Sequence, residues 1–265
     1  MSKPAILTPD PWQRLQGLTR ARVALGRAGV SLPTREVLRF GTAHAQARDA
    51  VHQALDVASL QADLKDAGFA SLAVSSQAAD RSMYLRRPDR GRSLAPDCLA
   101  LLADQGPRLW APRPRLAVVL ADGLSSLAVA RHGLPLLQAL QPYFPDLPGL
   151  PVIIAREARV ALGDEVGEAL GAGQVVVMIG ERPGLSSPDS LGLYLTARPR
   201  PGLTDAQRNC ISNVRPEGLN YPDAARKLAF LIAGACKLGR TGVDLKDDSD
   251  TALPDTARPA VGLGT

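Results

Sequence analysis

Two short loops carry the side chains best placed to do chemistry. The first is Ala121-Asp122-Gly123-Leu124-Ser125-Ser126, directly after an apolar run that ends at Leu120. The second is Gly180-Glu181-Arg182-Pro183-Gly184-Leu185-Ser186-Ser187, after a run that ends at Ile179. Asp122 reads either as a ligand-facing carboxylate or as the cap of a helix that begins near Ser125. Glu181 reads either as a ligand-binding carboxylate or as half of a Glu181-Arg182 pair that only shapes its turn. The glycines and proline around it let the backbone approach a ligand closely, and a carboxylate at the mouth of an apolar sheet is a candidate functional group.

Other constellations carry less. His44, Arg48 and His52 share one helical stripe, but an arginine between two histidines repels a cation, so an interface or core-edge role fits better than metal ligation. His132 has no neighbouring nucleophile, Ser125 and Ser126 stand outside a Gly-x-Ser-x-Gly elbow, and Cys210 has no histidine near it in sequence. Neither Gly-x-Gly-x-x-Gly after the first strand nor a Gly-x-x-x-x-Gly-Lys-Ser/Thr loop occurs. The residues therefore describe a protein with a ligand-binding mouth and no catalytic apparatus or metal set of its own. Such a chain positions a ligand whose chemistry belongs to a cofactor or another subunit.

The elements that must hold these loops are legible from periodicity. Short apolar runs at 116–120, 152–155, 175–179 and 191–195 alternate with helical stretches at 125–143 and 163–170. Runs of this kind are buried on both faces, which points to a parallel α/β sheet with ligands at the carboxyl ends of its strands. A long amphipathic helix is predicted over 221–238, with Ala225, Leu228, Ala229, Ile232 and Cys236 on one stripe. Upstream, Asp10-Pro11-Trp12 is a helix start, and Trp12, Leu15, Leu18, Ala21 and Leu25 predict a first helix that ends at the glycines 26 and 29. A second helix follows with Thr34 as cap, carrying Val37, Leu38, Phe40, Val51 and Leu55, and a third covers 59–67. Residues 70–94 read as a connector with a strand-like centre, 96–103 as a helix and 106–114 as a loop leading to the first strand. The expected division is a helical unit with its connector at 1–95, a Rossmann-like three-layer α/β domain with a mostly parallel sheet at 96–245, and a disordered tail at 246–265.

The chain has 265 residues, enough for a full hydrophobic core, and 31 Lys+Arg against 26 Asp+Glu, a net charge of +5. The arginines are interleaved with acids even in the 81–92 cluster, flanked by Asp80 and containing Asp89, which disfavours a nucleic-acid track. Cys98, Cys210 and Cys236 are too few and too far apart for a disulfide framework or zinc knuckle, as expected of a reduced cytoplasmic protein. No apolar stretch reaches the ~20 residues that span a bilayer, so no membrane partner is expected.

Several stretches taken together resemble the small (light) subunit of ethanolamine ammonia-lyase. They are 21–29, 34–51 with its Arg39-Phe40, 84–92, Ala121-Asp122-Gly123-Leu124-Ser125, 177–184 and 208–213, in the family's order and spacing over roughly residues 15–245. Two departures stand out: Ala43-His44 replaces a common Asp-His pair, and the loop between Glu181 and Cys210 is one residue shorter. The resemblance implies a helical unit followed by a Rossmann-like domain, which closes adenosylcobalamin against a large (β/α)₈ subunit holding the substrate site. The implied reaction is radical deamination of ethanolamine to acetaldehyde and ammonia, in the cytoplasm, with enclosure in a bacterial microcompartment left open. The family's cofactor contacts carry over to Val160, Glu181 and Cys210. Its cobalt is not ligated by a protein histidine, and the chain accordingly lacks Asp-x-His-x-x-Gly. The arginines of 81–92 are expected at the large-subunit contact or near cobalamin.

Overall fold

The computed structural model describes residues 7–250. Strand β2 (Leu116–Ala121) shows why the sheet sits where it does, because every residue in it is buried. Leu116, Val118 and Leu120 enter one core while Ala117, Val119 and Ala121 enter another on the opposite face, as the alternation of strand side chains demands. The first core packs helices α2 (Val57–Asp66), α5 (Ser126–Leu140) and α7 (Tyr221–Leu238) against the sheet. The second packs α4 (Pro96–Leu109) and α6 (Leu162–Ala169). The result is a three-layer α/β structure.

The sheet has six strands in the order β1-β3-β2-β4-β5-β6. The first four in that order, β1 (Ser71–Ser75), β3 (Val152–Arg156), β2 and β4 (Gln174–Gly180), are parallel. Strands β5 (Leu191–Ala197) and β6 (Asn209–Val214) extend it antiparallel, each to its neighbour. The chain leaves β2 through α5 on one face and β3 through α6 on the other, so adjacent strand ends open toward opposite layers.

The sheet begins earlier than expected: β1, within the stretch read as a connector, forms the edge strand beside β3. The same stretch also contains a short helix, α3 (Arg81–Arg86), capped by Asp80. The α4 helix runs to Leu109 and accommodates Pro107. Strand β6 was not anticipated, although Cys210 and Ser212 outside and Ile211 inside follow the two-residue alternation of a half-buried strand.

The predicted helix over residues 10–25 does not form. A 3-10 turn at Gln13–Gly17 replaces it, after which Ala24, Gly26 and Gly29 take positive φ and Thr8 pairs with Arg27. Asp10 does accept the amide of Trp12 at 2.9 Å. The apolar stripe, however, has nothing to pack on, with Trp12 69% and Leu18 84% exposed, and a short helix without tertiary burial is marginal in water. Helix α1 (Thr34–His52) does form, with Pro33 rather than Thr34 at the cap position and with Leu38 and Phe40 exposed. At the other end, residues 246–250 lie on α7, where the Arg226 guanidinium donates to the Ser249 carbonyl at 2.6 Å. Residues 251–265 of the expected tail lie outside the described residues. Among the described residues no helix is long and apolar enough to cross a membrane.

One buried ion pair ties the antiparallel extension to the parallel half. Arg208, just before β6, donates from both terminal nitrogens to the two oxygens of Asp164 on α6, at 2.6 and 2.7 Å. It also donates to Thr196 Oγ1 at 2.9 Å and to the Leu203 carbonyl at 3.2 Å. Both side chains are almost wholly buried, so removing one leaves the other charge unpaired in a poor solvent. Asp164→Ala is expected to cost about 3–5 kcal/mol of stability, read as the shift in urea unfolding; a loss below about 1 kcal/mol would contradict this role.

Candidate functional site

The carboxyl ends of β2 and β4 meet backbone on backbone. Gly123, at φ +54°, has no room for a Cβ beside the Gly180 carbonyl, and a Cβ on Gly180 would run into the carbonyls of Ser125 and Asp122. The Gly180 carbonyl accepts the Leu124 amide at 2.9 Å, which seals the contact. Both loops singled out by sequence are therefore joined.

Asp122 is neither the cap of α5 nor an open ligand. Ser125 caps the helix by accepting from the Ala128 amide. The Asp122 carboxylate instead accepts the amides of Glu157 and Ala158 at 2.8 and 3.1 Å, holding the loop after β3. Arg81 reaches Asp122 at 3.4 Å and Glu157 at 3.2 Å, and stacks on the Tyr84 ring at 4.9 Å. Arg159 stacks on the same ring at 4.4 Å, and the Tyr84 hydroxyl donates to the Ala158 carbonyl at 3.0 Å. Burial pushes the Asp122 carboxyl up to about 6, against the two amides and Arg81.

Glu181 follows directly. Its amide donates to the Ser190 carbonyl at 2.9 Å, and its side chain accepts the Ser190 hydroxyl and, at 3.2 Å, the Asn213 amide. It makes no ion pair with Arg182, the alternative left open by sequence; it braces the β4–β5 turn against the end of β6. Asn213 takes φ +58° and Arg215 donates to its side-chain oxygen at 3.3 Å, so this amide is presented by an unusual backbone turn.

The register places the three sequence-identified residues on one face. Val177, in the α4–α6 core, pairs with Tyr194, and Tyr194 pairs with Cys210. Ile179 belongs to that core and pairs with Gly192, and Glu181 comes two residues later on the same side. Val160, in the loop after β3, packs at the rim of this core, as does Tyr194. Cys210 is exposed. Although the residue as a whole is exposed, partial desolvation of its sulfur raises the thiol; burial likewise raises the Tyr194 hydroxyl, which is hydrogen-bonded to Cys210, with Cys210 and Glu181 adding to the rise.

Sequence reasoning missed Tyr194, Gly192, Ser190 and Asn213. Tyr194 and Gly192 sat inside an apolar run read as core; the signal was that the run's second face carries Gly192, Tyr194 and Thr196, not a row of aliphatics.

Elsewhere, a cavity of about 580 Å³ lies at the ends of β1, β3 and β2, lined by Ser76, Gln77, Asp97, Asp122, Arg156 and Glu157 among others. None of Val160, Glu181 and Cys210 lines it, and its carboxylates are engaged by protein donors: Asp80 by the Met83 amide, Asp97 by the Cys98 amide, Asp122 and Glu157 as above. His44 stacks on Phe40, and Arg48 pairs with Asp49 at the surface. His132 bonds the Tyr221 hydroxyl at 2.8 Å and lies 3.5 Å from Asp189, with burial lowering its pKa. Of the arginines in 81–92, Arg81 is taken up by the interior network, while Arg87 pairs with Asp89 at 2.7 Å in solvent. Among the described residues no group of three or more His, Cys, Asp or Glu is placed to hold a metal.

The sequence model of the family described as ethanolamine ammonia-lyase light chain matches residues 9–246. The ethanolamine ammonia-lyase small subunit of Azotobacter vinelandii is 53% identical over 264 residues, spanning 99% of this chain and 97% of that protein. The protein of the same name from Ralstonia nicotianae is 53% identical over 260 residues, covering 96% and 95% of the two chains. Its counterpart in Xanthomonas campestris pv. campestris is 52% identical over 264 residues, covering 98% and 97%.

Asp122 makes stability depend on pH with a defined sign. Its folded value, about 6, lies above its ordinary 3.8, so the folded state holds the proton more tightly. The associated stability is present below about pH 4 and is lost as pH rises through 6. Relative to Asp122→Asn, the wild type should lose about 2–3 kcal/mol between those limits. Urea titrations at half-unit pH steps would read this, and a constant difference would contradict it.

Proposed function

This chain belongs to the ethanolamine ammonia-lyase light-chain family, and we propose that it is the accessory subunit that closes adenosylcobalamin against the large subunit. The observation that carries the reading is the placement of Val160, Glu181 and Cys210 on one sheet face, beside Tyr194 and around a buried glycine. The reaction served is that of a carbon–nitrogen lyase, in the cytoplasm or within a microcompartment there.

The residues fit such a ligand. The corrin periphery carries uncharged carboxamides, which need fixed acceptors and donors with an apolar rim. Glu181 is braced by Ser190 and Asn213 but has lone pairs to spare. The Tyr194 hydroxyl stays protonated, and Val160 supplies apolar contact. When bound, adenosylcobalamin supplies the radical chemistry that converts ethanolamine to acetaldehyde and ammonia. The work of this chain is to bind, orient and exclude water: Glu181 holds an amide N–H, and Cys210 and Val160 close the apolar boundary.

Partnership has its own support. Trp12, Leu18, Val30, Val37, Leu38 and Phe40 are each between 47% and 103% exposed, all within the first forty residues. Apolar side chains concentrated in this way mark an interaction surface, and the large subunit is the partner proposed.

Co-production with the cognate large subunit tests both. Acetaldehyde formation should require this chain, and Glu181→Ala should raise the adenosylcobalamin needed for half-saturation about 10- to 100-fold, the worth of one charge-assisted hydrogen bond. Full turnover by the large subunit alone would overturn the reading and favour a scaffold role. Leu38→Asp with Phe40→Asp should release the large subunit on size-exclusion chromatography while the circular dichroism of the chain is unchanged; an intact complex would place the contact elsewhere.

A further inference from the structure

The opposite pole of the sheet holds a small cavity that the proposed function leaves unused. Its volume is about 60 Å³, and Ala103, Pro107, Trp110, Pro112, Pro114 and Pro151 are among the residues that wall it. Pro114 and Pro151 lie just before β2 and β3, so the cavity sits at the amino ends of these strands, whereas Asp122 and Glu181 follow carboxyl ends. Two residues on its wall have a polar group short of a partner. Trp110 is only 6% exposed, and its indole Nε1 is buried with no hydrogen-bond acceptor. The Ala103 carbonyl is the group that the amide of residue 107 would meet in an unbroken helix. Residue 107 is a proline inside α4 and has no N–H to give. The surrounding prolines answer neither group: they bring no N–H, and the carbonyls of Pro114 and Pro151 already accept the amides of Gly173 and Val118 at 2.9 and 2.8 Å.

One donor and one acceptor beside an otherwise apolar space match a hydroxyl, which accepts from the indole and donates to the carbonyl. Water has that chemistry, but a buried water makes about three hydrogen bonds and takes a share of only ~30 Å³. An alcohol of two or three carbons is satisfied by the two bonds, and its carbons meet the proline rings. We infer that this cavity is a binding site for a short primary alcohol, held between Trp110 Nε1 and the Ala103 carbonyl that Pro107 leaves without its helical donor. The compound on which the proposed reaction acts, 2-aminoethanol, belongs to that class. Its ammonium suits the place as well, because α4 and α6 both end at the cavity, through Trp110 and Leu170, and the carbonyl end of a helix favours a cation. The site is separate from the cofactor face and does not depend on it.

The full chain has two tryptophans, so labelling the indoles with nitrogen-15 gives two N–H correlations in a nuclear magnetic resonance spectrum. Trp12, 69% exposed, serves as the internal reference. Titration with ethanol or with 2-aminoethanol should move the Trp110 signal saturably, with a dissociation constant of about 0.1–10 mM, the range open to a ligand of three or four heavy atoms. Acetone, which accepts but does not donate, should bind about three- to tenfold more weakly, the worth of one neutral hydrogen bond. Pro107→Ala returns an amide to the Ala103 carbonyl and favours the helix, so folding is not at risk; it should weaken both alcohols by a similar factor and leave acetone unchanged. Ala103→Leu should abolish the response by filling the space. A Trp110 shift that grows linearly in step with that of Trp12, as expected if water alone occupies the cavity, would overturn the site. So would wild-type alcohol binding in Pro107→Ala, or acetone binding as tightly as ethanol. No step involves cofactor or turnover, so failure here leaves the lyase reading standing, and failure of that reading leaves this measurement unaffected.

Discussion

The contact between Gly123 and Gly180 is the constraint on which the site depends. Two chain segments can lie this close only where neither carries a side chain, and here the two are the exits from adjacent parallel strands. From Gly123 the path runs to Asp122, whose carboxylate fixes the amides of Glu157 and Ala158 and so sets the course of the loop that reaches Val160. From Gly180 it runs to Glu181, which binds Ser190 and Asn213 and so ties the β4–β5 turn to the end of the strand bearing Cys210. Residues far apart in sequence thus share one backbone anchor.

Around that anchor, buried charge is used to join layers rather than to fill space. Asp164 and Arg208 join α6 to the antiparallel strands, and Arg81 joins α3 to the ends of β2 and β3. Each of the two arginines meets an opposite charge plus further hydrogen bonds, Arg208 to Thr196 and Leu203 and Arg81 to the Val51 carbonyl, which helps a buried pair to be tolerated. Tyr84, wholly buried with Arg81 and Arg159 against its ring, extends the arrangement to the segment containing Gly91, where a Cβ would strike the tyrosine. The arginine-rich stretch that looked like a surface feature is in part an internal strut.

How far all this was legible in the sequence depended on the range of the interaction responsible. Helix α7 was read to its ends because its start, its apolar stripe and its glycine stop are all local. The strands β2 to β5 were read because burial on both faces leaves an unbroken apolar run. The helix expected at 10–25 failed because periodicity shows that a stripe exists and not that a surface awaits it. Strand β6 escaped because Asn213 interrupts its alternation with a positive φ. At the site, Glu181 was visible as a carboxylate at a strand end, whereas the true partners of Asp122 lie 35 and 36 residues away and follow only from the packing of β2 on β3. Tyr194 was hidden for a similar reason: in an apolar run an aromatic reads as core until the neighbouring strand shows which face is open.

On the proposed reading, a face that meets an uncharged, amide-rich ligand should present the same donors and acceptors across the neutral pH range. The surroundings of Tyr194 and Cys210 act in that direction, since burial raises both and keeps phenol and thiol protonated through neutral pH. Asp122, the carboxylate that burial pushes up to about 6, lies behind this face and is committed to backbone amides. Its titration therefore falls on the stability of the loop after β3 and leaves the donor and acceptor pattern at Glu181 and Tyr194 intact. Separating the group that titrates from the groups proposed to meet the ligand lets the fold carry a buried carboxylate without tying that proposed contact to its charge.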